Sequence, residues 1–302
     1  MTEQALARPA PAADRVVNAL SVDVEDYYQV SAFAGVVDRA SWDRWPSRVV
    51  DNTLRTLDLF AESGVRATFF TLGCVAQAHP RLVATIAAAG HEVASHGFSH
   101  RRVGEQTPRA FRDDVVATKA LLEDQSGAPV RGYRAASFSI DRGTWWAFDV
   151  LAEAGYAYSS SIHPIAHDHY GVPDAPRHPF RPAAPDLMEI PVATVELLGR
   201  RWSCGGGGFF RVLPYGWTRG AVARINAREG RPATFYFHPW EIDPDQPRVS
   251  GAPMKARLRH YSGLSGMADK LRRLLRDFAW DRIDAVHAGA LRRGPGDAAS
   301  GS

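Results

Sequence analysis

A chain of 302 residues, 45% hydrophobic and 23% charged, has the composition of a soluble globular protein with room for one sizeable core. Its formal net charge of +3 comes from dispersed basic residues, which argues against nucleic acid as a partner. The two cysteines, Cys74 and Cys204, exclude a disulfide framework and a Cys-rich metal site and suit a reducing compartment. No signal-peptide core and no run of about 18 apolar residues is present, so a cytoplasmic protein without an integral membrane segment is expected.

Residues 1–14, rich in Ala and Pro, read as a flexible tail, and so do residues 288–302. Between them short apolar runs alternate with helical patterns. Val16 to Val24 (VVNALSVDV) reads as a buried strand ending in carboxylates. Val50, Leu54, Leu57 and Phe60 are at helical spacing, and Gly64 supplies a stop. There follow a strand ATFFTLG, a helix from Pro80 to Ala89 closed by Gly90, and a strand HEVASH. A helix from Pro108 to Leu122, a strand GYRAASF, a helix from Thr144 to Ala154 and a strand YAYSS come next. Residues 163–230 read as long Pro-, His- and Gly-rich loops, after which ATFYFHP is one more apolar strand. Residues 265–279 form an amphipathic helix with Leu271, Leu274, Leu275 and Phe278 inward. Such alternation implies βαβ units and a parallel sheet. Asp23, Glu25, His96, Arg134, Ser159 to Ser161 and His238 fall at C-terminal strand ends, where barrel enzymes place their chemistry.

Four motifs carry reactive groups. In Ser21-Val-Asp-Val-Glu-Asp-Tyr27, alternation puts Asp23 and Glu25 on one face. Two buried carboxylates repel unless a cation sits beside them, whereas a water-exposed strand end or helix cap needs none. In His91-Glu-Val-Ala-Ser-His-Gly-Phe-Ser-His100, His96 and His100 are four apart, a spacing that can bring two imidazoles to one metal or leave two surface histidines. His91, at the strand's start, reads as structural. In the third motif, Arg131 to Ser139, Arg134 can hold a carboxylate by a bidentate contact. In the fourth, Phe235 to Asp243, His238 emerges from an apolar strand with Trp240 beside it, placed for proton donation or for a core role.

Taken in order, the words VDVEDYYQV, SHGFSH, YRAASFS and FYFHPWEIDPDQPR resemble the NodB-type polysaccharide deacetylases, carbohydrate esterase family 4, over roughly residues 17–283. They are most similar to its exopolysaccharide-associated branch, whose C-terminal extension LRHYSGLSGMADKLRRLLRDF resembles. The resemblance implies an irregular, partly open (β/α)7-type barrel with long loops at the C-terminal strand ends. It implies one deacetylase domain over residues 15–287, with the extension at about 240–287. It also implies Asp23 as base, Glu25, His96 and His100 as ligands of a divalent metal, zinc first, Arg134 orienting the base and His238 as acid. Asp26 is the alternative carboxylate ligand, because the family's usual pattern has adjacent Asp residues. Ala136 stands where a Pro is usual, and the Asp that usually partners the acid histidine has no match.

The expected reaction is hydrolysis of N-acetyl groups on a polysaccharide or oligosaccharide, with the oxyanion held by a backbone N–H near Ser137 or Phe138. Trp240, with Trp45, Tyr133 and Trp202, is a candidate sugar-stacking wall, against a core-packing role for each. The run Cys204-Gly-Gly-Gly-Gly-Phe209 reads as a turn rather than a phosphate cradle, since no Lys-Ser/Thr follows it. Another amide hydrolase on the same scaffold and a non-catalytic carbohydrate-binding protein are the rival readings.

Overall fold

The computed structural model describes residues 15–168, 170–182 and 187–292. The first half runs β1 (Val17–Val24), α1 (Val49–Ser63), β2 (Thr68–Thr71), α2 (Gly73–Ala78), α3 (Pro80–Ala88), β3 (Glu92–Ser95), α4 (Pro108–Ser126), β4 (Gly132–Tyr133), α5 (Ala147–Glu153) and β5 (Tyr158–Ser159). Local chemistry sets these bounds. The Thr107 hydroxyl accepts from the Ala110 N–H ahead of Pro108 to start α4, and left-handed Gly64 and Gly127 close α1 and α4. The second half runs β6 (Met188–Glu189), the hairpin β7 (Thr194–Leu197) and β8 (Arg200–Ser203), α6 (Gly207–Val212), α7 (Tyr215–Arg224) and β9 (Thr234–Phe237). It ends with α8 (Met254–Tyr261), α9 (Met267–Asp277), β10 (Ala279–Asp281), α10 (Ile283–Val286) and α11 (Ala288–Arg292).

Every pairing in the main sheet is parallel, in the order β10-β1-β2-β3-β4-β5-β6, with β9 also on β1. The strands β1 to β6 and β9 curl into the expected partly open (β/α)7-type barrel, and β10 extends it beside β1. Alternation along β1 sorts its side chains. Leu20, Val22 and Val24 face the main apolar core with helix residues such as Leu57 and Phe60. Ala19 joins Phe70, Ala94, Tyr158, Met188, Ile190 and Ile283 in a small apolar layer inside the barrel. Ser21 and Asp23 follow Ala19 on that inner face, so the barrel interior turns polar toward the C-terminal strand ends.

The structure corrects four expectations. The strand expected over GYRAASF stops at Tyr133, because Ala136–Phe138 is a 3-10 turn with Ser137 at φ 53° and Phe138 at φ 49°. Residues 163–230 are not loops alone; they hold β6, the β7–β8 hairpin, α6 and α7. The terminal helix ends at Asp277 and gives way to β10, and residues 288–292, expected in the tail, are helical. The rest of both expected tails, residues 1–14 and 293–302, lies outside the described residues.

Candidate active site

Arg134 is the fixed point of the barrel interior. It is fully buried, and its cost of desolvation is met by four N–H contacts. Nη1 donates to Asp23 Oδ1 at 2.6 Å and to Ser21 Oγ at 2.9 Å, while Nε and Nη2 bind the Ser160 carbonyl and hydroxyl. The Phe70 ring lies 4.1 Å under its guanidinium. The expected bidentate clamp is therefore not formed: Asp23 receives one N–H, and the serines take the others. That arrangement holds Asp23 in place yet leaves Oδ2 toward the cavity, 3.9 Å from His238 Nε2.

Glu25, His96 and His100 converge just above Asp23. One ligand-type atom from each lies within 4.8 Å of the other two, and all three residues are buried. His96 Nδ1 faces the Arg134 carbonyl at 2.8 Å. A carbonyl only accepts, so Nδ1 carries the proton and Nε2 presents a lone pair. His100 is set by a turn in which Gly97 has φ 72° and His100 itself φ 51°. Arg39 fixes that turn from outside by donating to the Ser99 and His100 carbonyls. Glu25 Oε2 lies 3.0 Å from His100 Nε2, yet it receives no well-directed hydrogen bond. Burial pushes the Glu25 carboxyl up to about 7 and holds His96 and His100 below the usual imidazole range. Buried, mutually close lone pairs without a shared proton are the donor set of a divalent cation, with one carboxylate and two imidazoles. The three residues fit such an ion.

Asp26, the alternative ligand, points elsewhere. Its Oδ2 accepts from the Ser47 hydroxyl at 2.7 Å and the Arg48 N–H at 2.8 Å, and it also accepts the Val49 N–H, anchoring the start of α1. His91 is structural as expected, accepting the Ala67 N–H on Nδ1.

His238 stands across the cavity with Nε2 3.4 Å from Glu25 Oε1. Its Nδ1–H donates to Glu241 Oε2 at 3.3 Å, and its backbone N–H donates to the same oxygen at 3.0 Å. Arg211 of α6 binds the other oxygen, Nε to Oε1 at 2.6 Å, and itself reaches the His260 and Ser262 carbonyls. Burial works against a charged His238, but Glu25, Glu241 and Asp23 outweigh it and raise the imidazole to about 9. For Glu241, burial is likewise outweighed, by Arg211 and His238, and its carboxyl falls to about 2. The histidine's partner is thus Glu241, three residues on. Its signal was in the sequence, because His-Pro-Trp-Glu has the spacing of a capping box. Arg211 had no such signal.

Two substrate-binding expectations need correction. Trp240 is 4% exposed and sandwiched, stacked on His238 at 5.0 Å and on His260 at 4.2 Å, with Nε1 donating to Glu25. Neither face is free for a sugar. The Phe138 N–H is already donated to the Ala135 carbonyl at 3.0 Å, which removes it as an oxyanion donor. Ser137 lines the cavity, and its N–H has no acceptor among the described residues. Tyr133 is core, packed on Phe111 and Tyr156; Trp45 stacks on Tyr28, and Trp202 sits on the β7–β8 hairpin against Trp217. A cavity of about 210 Å³ joins Asp23, Glu25, His96, His100, Ser137 and His238.

Comparison with known proteins finds family matches over two consecutive stretches of the chain. Residues 40–159 match the family described as Polysaccharide deacetylase, and residues 160–288 match a Domain of unknown function (DUF3473). A chitooligosaccharide deacetylase of Sinorhizobium fredii is 34% identical over 112 residues, 37% of this chain and 49% of that protein. A peptidoglycan-N-acetylglucosamine deacetylase of Bacillus cereus is 30% identical over 100 residues, 32% of this chain and 36% of that protein. The matches thus span about half, or less, of these relatives' length. A solved structure named for a polysaccharide deacetylase of Mycobacterium smegmatis shares the fold, with a TM-score of 0.54 at 22% identity over 89% of this chain and 93% of that one. The chain carries a polysaccharide deacetylase domain of the NodB, or carbohydrate esterase family 4, type.

Proposed function

We propose that this chain is a metal-dependent hydrolase that removes N-acetyl groups from amino sugars of a polysaccharide, in exopolysaccharide formation. The observation that carries the reading is the convergence of Glu25, His96 and His100 in one cavity, flanked by Asp23 and His238. Glu25, His96 and His100 would hold the cation, zinc first for a two-imidazole, one-carboxylate set. When bound, such an ion lowers the pKa of a water and polarises an acetamide carbonyl. Asp23, held by Arg134, accepts the proton of the attacking water on its cavity-facing oxygen. The Ser137 N–H is the donor for the oxyanion. His238, protonated at neutral pH by its carboxylate neighbours, gives its Nε2 proton to the departing amine. Acetate and a free amino sugar result. The unpaired thiols of Cys74 and Cys204 favour action in a reducing compartment, the cytoplasm.

The test is acetate release from N-acetylglucosamine and N-acetylgalactosamine oligomers, with metal content measured on the same preparation. Wild type should release acetate and lose activity to a chelator. Asp23→Asn should keep its metal while kcat falls by about 10²–10⁴. Release from no N-acetylated glycan, with turnover of a small cyclic amide, would move the reading to the rival amide hydrolase.

A further inference from the structure

Among the described residues, α8 is the one helix with two large apolar side chains standing in water. Met254 is 85% exposed and Leu258 69%, and a spacing of four puts them on one side of the helix. The inward side is well satisfied: Ala256 and Tyr261 pack with Phe33, Val37 and Leu264, and His260 stacks on Trp240. Lys255, Arg257 and Arg259 are exposed beside the apolar pair, and α8 contains no acidic residue. Arg248, from the preceding loop, is exposed with its guanidinium 4.1 Å over the Tyr261 ring. Asp168 faces this surface and pairs with two of these four cations, Lys255 and Arg259. Val36, also exposed, lies beside Gly251 just ahead of the helix. The same helix reaches the catalytic cavity, which Arg259 and His260 help to line.

Protruding aliphatic side chains ringed by cations match one kind of surface. The aliphatic groups enter the boundary between headgroups and acyl chains, and the cations meet lipid phosphates. A helix of two turns offers too little apolar area to bind by itself, so the cations must supply the attraction, and that attraction is screened by salt. We infer that α8 and the loop bearing Arg248 dock this protein on an anionic membrane, with the cavity mouth at the lipid surface. No helix among the described residues is long and apolar enough to cross a membrane, so the contact is peripheral. The inference concerns where the protein sits and stands independently of the reaction in the cavity.

The experiment is flotation of the full chain with vesicles of phosphatidylcholine alone, or of phosphatidylcholine with a third phosphatidylglycerol. Wild type should float with the anionic vesicles and not with the neutral ones, and rising salt should release it. Met254→Glu combined with Leu258→Glu should lower the partition coefficient at least about tenfold. Lys255→Gln combined with Arg257→Gln should also lower it while keeping the apolar pair. All four positions are exposed, so an unchanged thermal melt and unchanged hydrolysis of a soluble oligosaccharide control for folding. The inference is overturned if wild type ignores anionic vesicles, or if the Met254/Leu258 variant floats as wild type does. A dimer in solution that the same variant dissolves, without vesicle binding, would assign α8 to a second copy and equally overturn it.

Discussion

Glu241 grips His238 on the side away from the cavity, and both of its oxygens are committed, one to the histidine and one to Arg211. The grip fixes the tautomer: with Nδ1–H tied to a carboxylate, Nε2 is the nitrogen that faces Asp23 and Glu25 across the cavity. A glutamine there keeps the shape but removes the charge that sustains the imidazolium. Glu241→Gln should therefore lower kcat on an N-acetylated oligosaccharide by about 10–100-fold with little change in KM. An activated aryl acetate, whose leaving group needs no proton, should be nearly unaffected. Steady-state kinetics on both substrates decide the point, and an equal loss on both would reduce Glu241 to a structural support. Asp23, Glu25, His96, His100, Arg134 and His238 were legible because each ends a strand or turns just beyond one, and a parallel barrel gathers strand ends. The fork of Arg134 was misjudged because Ser21 and Ser160, seen near strand ends but given no partner there, compete for its N–H groups. Arg211 was invisible, since its partner lies 30 residues away and is chosen by tertiary packing.

The element that delivers Arg211 begins in the glycine run. Gly205 to Gly207 lie against β9 and the turn after it so closely that side chains are excluded. A Cβ on Gly205 would fall 2.3 Å from the Thr234 carbonyl oxygen, one on Gly206 2.5 Å from the Tyr236 ring, and one on Gly207 1.9 Å from Glu241 Oε2. The run is neither a plain turn nor a phosphate cradle; it is a close-approach segment that lets α6 start beside the His238 turn. Gly207→Ala should displace the Glu241 carboxylate and cut kcat on the amide substrate, while metal content stays at the wild-type level. Metal analysis and kinetics on one preparation check this, and unchanged kcat would show that Glu241 tolerates the shift. The first-half strands were readable from apolar runs bounded by Gly and Pro. In the second half β9 and most of α9 were readable in the same way, but β6 and α6 were not, because β6 has two residues and α6 six. Segments that short lack a period, and pairing with neighbours rather than local preference creates them.

Residues 40–159 and 160–288, which match different families, share one sheet and one cavity with β1, which lies outside both matches. Asp23, Glu25, His96, His100 and Arg134 come from before residue 160, His238, Glu241 and Arg211 from after it, and β9 and β10 both pair with β1. Assembly of opposite charges in one buried place makes stability of the whole fold depend on pH, and the sign can be worked out for metal-free protein. Burial raises Glu25, Glu92 and Glu189 to about 7, so each contributes stability below about 4.5 that is lost as pH rises through 7. His96 and His100 are lowered, so their contribution is lost as pH falls below about 6.5. These groups oppose one another on the acid side. Between pH 7 and 9 His238 dominates: folded, it titrates near 9 against 6.5 unfolded, so the native state holds the extra proton. Its contribution is complete below about 6.5 and disappears as pH rises through 9. In a chelator the Tm should accordingly fall steadily from pH 7 to 9, and His238→Asn should flatten most of that slope. Adding a divalent ion should raise the Tm more at pH 8 than at pH 5, because a metal competes with protons for Glu25, His96 and His100. Thermal melts across that range, with and without chelator, check both expectations. A flat profile for metal-free wild type would mean that Glu25 and Glu241 do not hold the His238 proton.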